Sequence, residues 1–414
     1  MNEISSQRIS KRLVGKIPNM IETATNDVIT DKLAVHRLTL TDFRCYSNQR
    51  LEVDSRPVVL TGSNGAGKTN LLEALSFLVP GRGMRRSKLS DVGRRISEDI
   101  ELVRPWAISA ALITGKQSME IGTGYKIANI LDTNGQGNDK RVIKIDGTII
   151  KNQTELGRYT SAQWLTPQMD RIFIEGSSGR RQFLDQLIYS IDPEHASPVA
   201  AYNQSVRGRN KLLREGRADN AWLDSIEESI ARHGVAISVR RVDVVNRLQS
   251  ICRASNGAFP GSVIQVVGQV ENWLMEEPAL VIEDRLKAEL GASRQRDADR
   301  GLTSVGPHRS DFRVCHGDTG VEAEFCSTGE QKALLIGIIL AISKLQALER
   351  GHMPLLLLDE IAAHLDNSRR LSLFELIIKM GAQAWITGTD RGIFSPLGNS
   401  VQHFTIENAQ FSKV

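Results

Sequence analysis

The residues with the clearest chemical potential are Gly62, Ser63, Asn64, Gly65, Ala66, Gly67, Lys68, Thr69 and Asn70, which together fit the phosphate-loop pattern G-x-x-x-x-G-K-[ST]. Glycines at these positions let the backbone take positive φ and bring its N–H groups against phosphate oxygens, and the positive end of a following helix reinforces that nest. Lys68 would reach the terminal phosphates, and the Thr69 hydroxyl would ligate Mg2+. With glycine at about 7% of residues, the bare pattern recurs by chance on the order of once in a hundred chains this long, so its surroundings matter. Pro57, Val58, Val59 and Leu60 form a β-branched apolar run just before it, and Leu71, Leu72, Ala74, Leu75 and Leu78 follow at helical spacing. This is the strand, loop and helix that the motif requires.

A second chemical group lies near the end of the chain. Four leucines, 355–358, precede Asp359 and Glu360. A buried parallel strand ending in two carboxylates is the expected partner of a phosphate loop. Asp359 is expected to bind the Mg2+ held by Thr69, directly or through water, and Glu360 to polarise the attacking water as general base. Upstream, Cys326-Ser327-Thr328-Gly329-Glu330-Gln331-Lys332 leads into an apolar helix over 333–348. A serine hydroxyl, a small glycine and a helix N-terminus form an anion site, although S-x-G-x-Q by itself also fits any helix cap. The run 384–390 predicts one more core strand ending near the site. His364 is assigned no chemistry.

Other elements must position these groups. Val35, Leu38 and Leu40 predict a strand, residues 42–46 a turn, and 49–53 a second strand. Segments 106–114, 118–131 and 141–150 read as strands separated by Gly, Asn and Asp turns, with a hairpin end at 134–139, and imply an antiparallel sheet beside the loop strand. From Trp164 to about residue 300 helical periodicity dominates. The fold class is therefore α/β, a P-loop nucleotide-binding domain with a mixed sheet and a helical second lobe. The expected organisation is a disordered extension over 1–31, a first lobe with the phosphate loop over 32–165, a helical insertion over 166–300, and the rest of the ATPase domain over 301–414. The basic stretch 81–88, and the groups Arg180/Arg181, Arg207/Arg209/Lys211/Arg214, Arg240/Arg241 and Arg294/Arg296, read first as solvated faces and second as contacts to DNA phosphates.

At 414 residues, 41% hydrophobic and 24% charged, the chain can bury large cores. No uninterrupted apolar run reaches the roughly 18 residues of a membrane helix, so no membrane span is expected. Cys45, Cys252, Cys315 and Cys326 are scattered without C-x-x-C pairs, which argues against a zinc site and a disulfide framework and fits a reducing cytoplasm. The acids among the first residues disfavour a transit peptide, and no secretory apolar region is present. A net charge of +4 permits nucleic-acid binding, and aromatics at 5% disfavour a base-stacking platform, so any DNA is expected to be held through its backbone.

With these residues in place, the chain resembles the RecF proteins of DNA replication and repair, within the larger group of ABC-type and SMC-type ATPases. The resemblance rests on Asp42-Phe43-Arg44-Cys45-Tyr46, the run from Asn64 to Ala74, Gly179-Arg180-Arg181-Gln182-Phe183-Leu184-Asp185, Tyr202-Asn203 with Arg209-Asn210-Lys211-Leu212-Leu213, and Gly306-Pro307-His308-Arg309-Ser310-Asp311. It implies a two-lobed ATPase that binds ATP and Mg2+ and dimerises with two ATP molecules between subunits. It also implies that Ser327, Gly329 and Gln331 belong to a signature segment reaching the γ-phosphate held by the other subunit, that Asp366 is the D-loop aspartate, and that Gln168 stands at the Q-loop. By the same resemblance the partners are DNA at single-strand gaps, a second copy of the chain, and RecR and RecO proteins that help load recombinase. Four positions depart from the family pattern: Glu360 stands where a second aspartate is common, Glu330 replaces a glutamine, and Gln168 and His364 occupy positions that are often acidic.

Three rival readings remain in view. A short SMC or Rad50-like break sensor would need long heptad arms, and none spans the insertion. A transporter ATPase is disfavoured by Thr69-Asn70 and by the basic helical segment. The third is a binding module that holds ATP structurally with negligible turnover.

Overall fold

The run of leucines at 355–358 is buried on both faces, as a central parallel strand must be, and the rest of the mostly parallel sheet assembles around it. The computed structural model describes residues 31–95, 104–115, 117–126, 141–216, 219–255 and 257–414. Apart from Asp31, the expected N-terminal extension lies outside the described residues, as does the hairpin end at 134–139.

Two six-stranded sheets clasp the phosphate-loop helix. The first is wholly antiparallel, in the order β2-β1-β4-β5-β6-β7, with β1 (Leu33–Phe43), β2 (Tyr46–Glu52), β4 (Trp106–Thr114), β5 (Gln117–Tyr125), β6 (Arg141–Ile145) and β7 (Thr148–Ile150). The second runs β14-β13-β3-β12-β11-β8, with β3 (Val58–Thr61), β8 (Ala162–Leu165), β11 (Leu355–Leu358), β12 (Ala384–Gly388), β13 (Gln402–Glu407) and β14 (Gln410–Lys413). Within it β13, β3, β12, β11 and β8 are parallel, and β14 alone is antiparallel.

Alternation along β11 divides the core. Leu355 and Leu357 join the cluster shared by the antiparallel sheet and α1 (Lys68–Ser76), whereas Leu356 and Leu358 join the cluster on the opposite face. That opposite face is covered by α2 (Ser177–Ile191) and by α6 (Thr328–Arg350), which carries a full capping box at Ser327 and Glu330 and stops at Gly351 with φ 77°. By length and hydropathy α6 passes as a membrane-spanning candidate, but 83% of its apolar window is buried, so it is a core helix.

The helical region holds α3 (Ala196–Glu215), α4 (Asn220–Cys252) and α5 (Ala279–Ala292), which share a third core around Tyr202, Ile230 and Leu286. Its helical periodicity hides one strand: β9 (Ser262–Val267) pairs antiparallel with β10 (Asp311–His316), joining the segment to the chain beyond residue 300.

Several arginines read from sequence as solvated faces are instead paired within the fold, two of them buried. Arg209 is fully buried and donates to Glu227 at 2.9 Å, Asp297 at 2.8 Å, Thr303 at 3.0 Å and the Leu290 carbonyl at 2.7 Å. Arg241 grips both oxygens of Asp185, at 2.9 and 2.8 Å, and the Pro307 carbonyl at 2.8 Å. Arg180 forms a bidentate pair with Asp311 at 2.8 Å. Of the largest group, Arg207, Lys211 and Arg214 are exposed, at a spacing that puts them on one side of α3. Removing Arg209 leaves the buried Asp297 without a cation and takes from Glu227 one of its two arginines, so Arg209→Met is expected to destabilise the chain by about 3–5 kcal/mol in urea unfolding. A change within a few tenths of a kcal/mol would contradict this role.

Candidate nucleotide site

The loop between β3 and α1 is held open for an anion. Gly67 caps α1 at φ 118° and supplies no side chain, so the first N–H groups of the helix have no side-chain partner. Space allows only glycine there: a Cβ would lie 2.7 Å from the Tyr46 hydroxyl and 3.0 Å from the Cys45 sulfur. Tyr46, buried and with its pKa raised by that burial, keeps its proton and donates it to the Gly67 carbonyl at 2.9 Å. At Gly62, with φ 156°, a Cβ would meet the Ile406 carbonyl oxygen at 2.3 Å, so β13 closes on the loop from behind.

In front lies a cavity of about 440 Å3, lined by Lys68, Thr69, Asn70, Asp359 and Glu360, with Asn64, Gly65, Gly67, Arg85 and Pro167 completing its wall. Lys68 is 5% exposed and donates to the carbonyls of Gly62 and Ser63 at 2.8 and 3.1 Å, and its ammonium lies 3.3 Å from Glu360. Asp359 Oδ1 accepts from Thr69 at 3.0 Å and from Thr387 at 2.8 Å, and the same Thr387 hydroxyl accepts the Glu360 N–H at 2.8 Å. Glu360 sits at φ 53°, a left-handed backbone unusual for a side-chain-bearing residue. Burial pushes the Asp359 carboxyl above the usual carboxylate range, with the two hydroxyl hydrogen bonds opposing it. One hydroxyl and one carboxylate oxygen converge here, a donor set that suits a hard cation sharing its other ligands with phosphate and water.

The remaining sequence-predicted residues lie elsewhere. Gly62, Ser63 and Ala66 form the turn behind the cavity, and Gln168 is exposed beside the cavity-lining Pro167. Ser327 is exposed at the start of α6; its N–H and hydroxyl both donate to Glu330, at 2.9 and 2.7 Å. Gln331 turns inward and donates to the carbonyls of Glu324 and Cys326. Asp366 caps α7 (Asn367–Met380) by accepting the Arg369 N–H at 2.9 Å, and Arg369 in turn donates to the Gly329 carbonyl at 3.0 Å. None of Ser327, Gly329, Gln331 or Asp366 lines the cavity.

Arg85 and Thr387 were not singled out by sequence reasoning. Arg85 donates to Asn70 at 2.9 Å and pairs at 3.2 Å with the buried Glu73, which Arg44 also holds through two hydrogen bonds. Its signal was the basic stretch 81–88, which spacing alone could not aim.

This geometry is matched by relatives over nearly the whole chain. The model of the RecF/RecN/SMC N terminal domain matches residues 34–412. The DNA replication and repair protein RecF of Agrobacterium fabrum is 44% identical over 383 residues, 92% of this chain and 99% of that one. The chain belongs to the RecF family. A second RecF, from Rhizobium meliloti, is 43% identical over the same share of each chain. Among solved structures, the recombination mediator protein RecF-ATPrS in the RecFOR pathway superposes with a TM-score of 0.78 at 26% identity, covering 93% of this chain and 99% of that one. RecF-ATP in the same pathway gives 0.75 at 25% identity, covering 93% and 100%. The fold is thus the ABC/SMC-like ATPase head of a RecF-family DNA replication and repair protein.

The Asp359 environment makes a pH-dependent prediction. A carboxyl whose folded pKa lies above its unfolded value favours folding at low pH, and that contribution is lost as pH rises through the folded pKa. The nucleotide-free wild type is therefore expected to lose stability relative to Asp359→Asn on going from mildly acid to neutral pH. A stability difference that does not change with pH across that window would contradict the assignment.

Proposed function

We propose that the chain is a slow, DNA-stimulated ATPase of recombinational repair, in which ATP closes a homodimer on DNA at single-strand gaps and hydrolysis reopens it. Gly62 to Gly67 offer backbone N–H groups to the phosphates, and Lys68 exchanges its contacts with the Gly62 and Ser63 carbonyls and Glu360 for phosphate oxygens. That exchange frees the Glu360 carboxylate to accept a proton from water, while the Thr387 hydroxyl holds its backbone. Thr69 and Asp359 would hold Mg2+, which when bound neutralises charge developing on the transferred phosphoryl group. Gln168, next to Pro167, is placed to follow the state of the cavity.

One observation carries the dimeric reading: the Ser327 segment is exposed and takes no part in the wall of the cavity formed by Lys68, Thr69, Asp359 and Glu360. A second copy of the chain can bring its Ser327 hydroxyl and Gly329 N–H to that cavity. Gln331, spent on its own loop, supports the segment from beneath, and Asp366 and Arg369 fix it to α7. The same signature helix is tied to the Gln168 segment, because Lys332 pairs with Asp170 at 2.9 Å. DNA, met mainly through its phosphates, and RecR and RecO proteins are the proposed partners, in keeping with the RecFOR pathway of the solved relatives.

Size-exclusion chromatography tests closure. Wild type with ATP and duplex DNA is expected to run as a dimer, Lys68→Met and Ser327→Arg as monomers, and Glu360→Gln as a dimer that persists. A wild type that stays monomeric removes the clamp reading. In the single chain the Glu330 carboxylate holds both Ser327 donors, as an internal rival to the γ-phosphate. Glu330→Gln is expected to lower the ATP concentration needed for dimerisation severalfold, since a neutral amide competes less well for those donors. An unchanged or higher requirement would show that Glu330 does not compete.

A further inference from the structure

The basic stretch 81–88 serves two cavities. Arg85 belongs to the nucleotide site, whereas the next residue, Arg86, faces a separate cavity of about 510 Å3 between the loop leaving α1, the start of β8, α2 and the helical region. This volume lies within the range of small-ligand sites, roughly 300–1,000 Å3.

Charge limits what can enter. Arg82, Arg86, Arg181, Arg241 and Arg350 line the cavity against one carboxylate, Asp185. That carboxylate is already matched, by Arg241 on both oxygens and by His195 at 3.1 Å. Arg350 is spent on the carbonyls of Gly157, Ser190 and Ile191, and Arg181 donates to Ser177 and to the Ser310 carbonyl. His308 adds no charge near neutrality: burial lowers its pKa to about 4. Its Nε2 faces the Thr303 carbonyl and must therefore carry the proton, which leaves Nδ1 to accept from Tyr202 at 2.6 Å. The Arg86 side chain, by contrast, makes no hydrogen bond or ion pair with any described residue; it interacts with Asp185 and Tyr189 only through space, and its backbone is held at φ 53°.

Two neutral donors share this lack of partners. Ser161 Oγ, on a residue 3% exposed, and Gln186 Nε2 are both buried in the cavity wall without a hydrogen-bond partner. Such orphans are rare, because an unmatched buried polar group forfeits the hydrogen bonds it had in water. An unpaired guanidinium, an orphaned hydroxyl and an orphaned amide N–H around one cavity amount to donors awaiting acceptor oxygens. Trp164 and Tyr189 lie in the same wall, and Tyr189 packs its ring against that of His195.

We propose that this cavity is a second anion site, distinct from the phosphate loop, which takes the phosphomonoester of a nucleotide through Arg86, Ser161 and Gln186. The monoester has two sources, a free mononucleotide or the phosphorylated end of a DNA strand. The assignment does not rest on ATP-driven closure and can fail or hold independently of it.

Calorimetric titration of deoxyadenosine monophosphate into the full chain carrying Lys68→Met, which weakens the phosphate-loop site, tests the proposal at low salt. Saturable binding of one equivalent is expected, weakened about tenfold or more by Arg86→Gly, a change its backbone tolerates, and also by Ser161→Ala. ATP binding at the phosphate loop should be unaltered by Arg86→Gly in the otherwise wild-type chain. No saturable binding up to about 5 mM, or binding that both variants leave unchanged, overturns the site. Competition by short DNA strands separates the sources. A strand with a terminal phosphate that displaces the mononucleotide where its hydroxyl-ended twin does not assigns the strand end, and failure of both to compete assigns the free nucleotide. Equal competition by the two would mean recognition of backbone diesters and would also overturn the assignment.

Discussion

A single carboxylate oxygen, Asp359 Oδ1, takes hydrogen bonds from Thr69 at the start of α1 and from Thr387 at the end of β12. Three neighbouring parallel strands, β3, β12 and β11, therefore deliver their C-terminal ends to one point, and the loop geometry follows from that register. The carboxylate is disfavoured by burial and favoured by two hydroxyls, so it is poised to gain from a cation more than an exposed acid would. The Thr387 hydroxyl has a double duty, since it also fixes the strained Glu360 backbone. Strain of this kind persists only where the surroundings over-determine it, and the carboxylate of this same Glu360 lies beside Lys68.

The same economy of buried charge shapes the helical region. Arg209 and Arg241 each collect partners from segments far apart in sequence, and each is satisfied at nearly every donor position. A fully matched network of this sort is directional in a way that an apolar core is not, so it fixes how α3 and α4 meet the chain around residues 297–311. The two motifs carrying Arg180 and Asp311 lock α2 to β10 in the same manner. Motion between the region built on α3, α4 and α5 and the two six-stranded sheets would therefore have to work against hydrogen-bonded ion pairs.

How legible all this was from sequence depended on the range of the interactions. The phosphate loop, β11 and the pair Asp359–Glu360 could be read because their chemistry is local: contiguous glycines, a contiguous apolar run, two adjacent acids. The antiparallel sheet was legible from β-branched runs and turn residues. Arg209 was misread because a charged residue on a helix looks the same whether water or Asp297, 88 positions away, receives it. β9 was missed because six residues of strand inside a long helical stretch leave little periodicity to detect. Arg85 and Arg86 were noticed as a basic stretch, but their assignment to two different cavities is set by tertiary packing around a left-handed residue.

That division has a physical consequence for how the site is used. Arg85 contacts Asn70 and Glu73 on the phosphate-loop helix, and Arg86, one peptide unit away, faces the other cavity. Lys332 and Asp170 tie α6 to the segment following β8, and the first residues of β8 form part of the same second cavity. Any ligand that repositions Arg86 or the start of β8 thus acts on elements that also border the nucleotide, through covalent neighbours and one ion pair. Energetic coupling between two sites needs an element that both of them bias, and reciprocity then follows from linkage. The loop 81–88 contributes to both cavities, so if the ligands of both bias it, each affinity depends on occupancy of the other in equal measure.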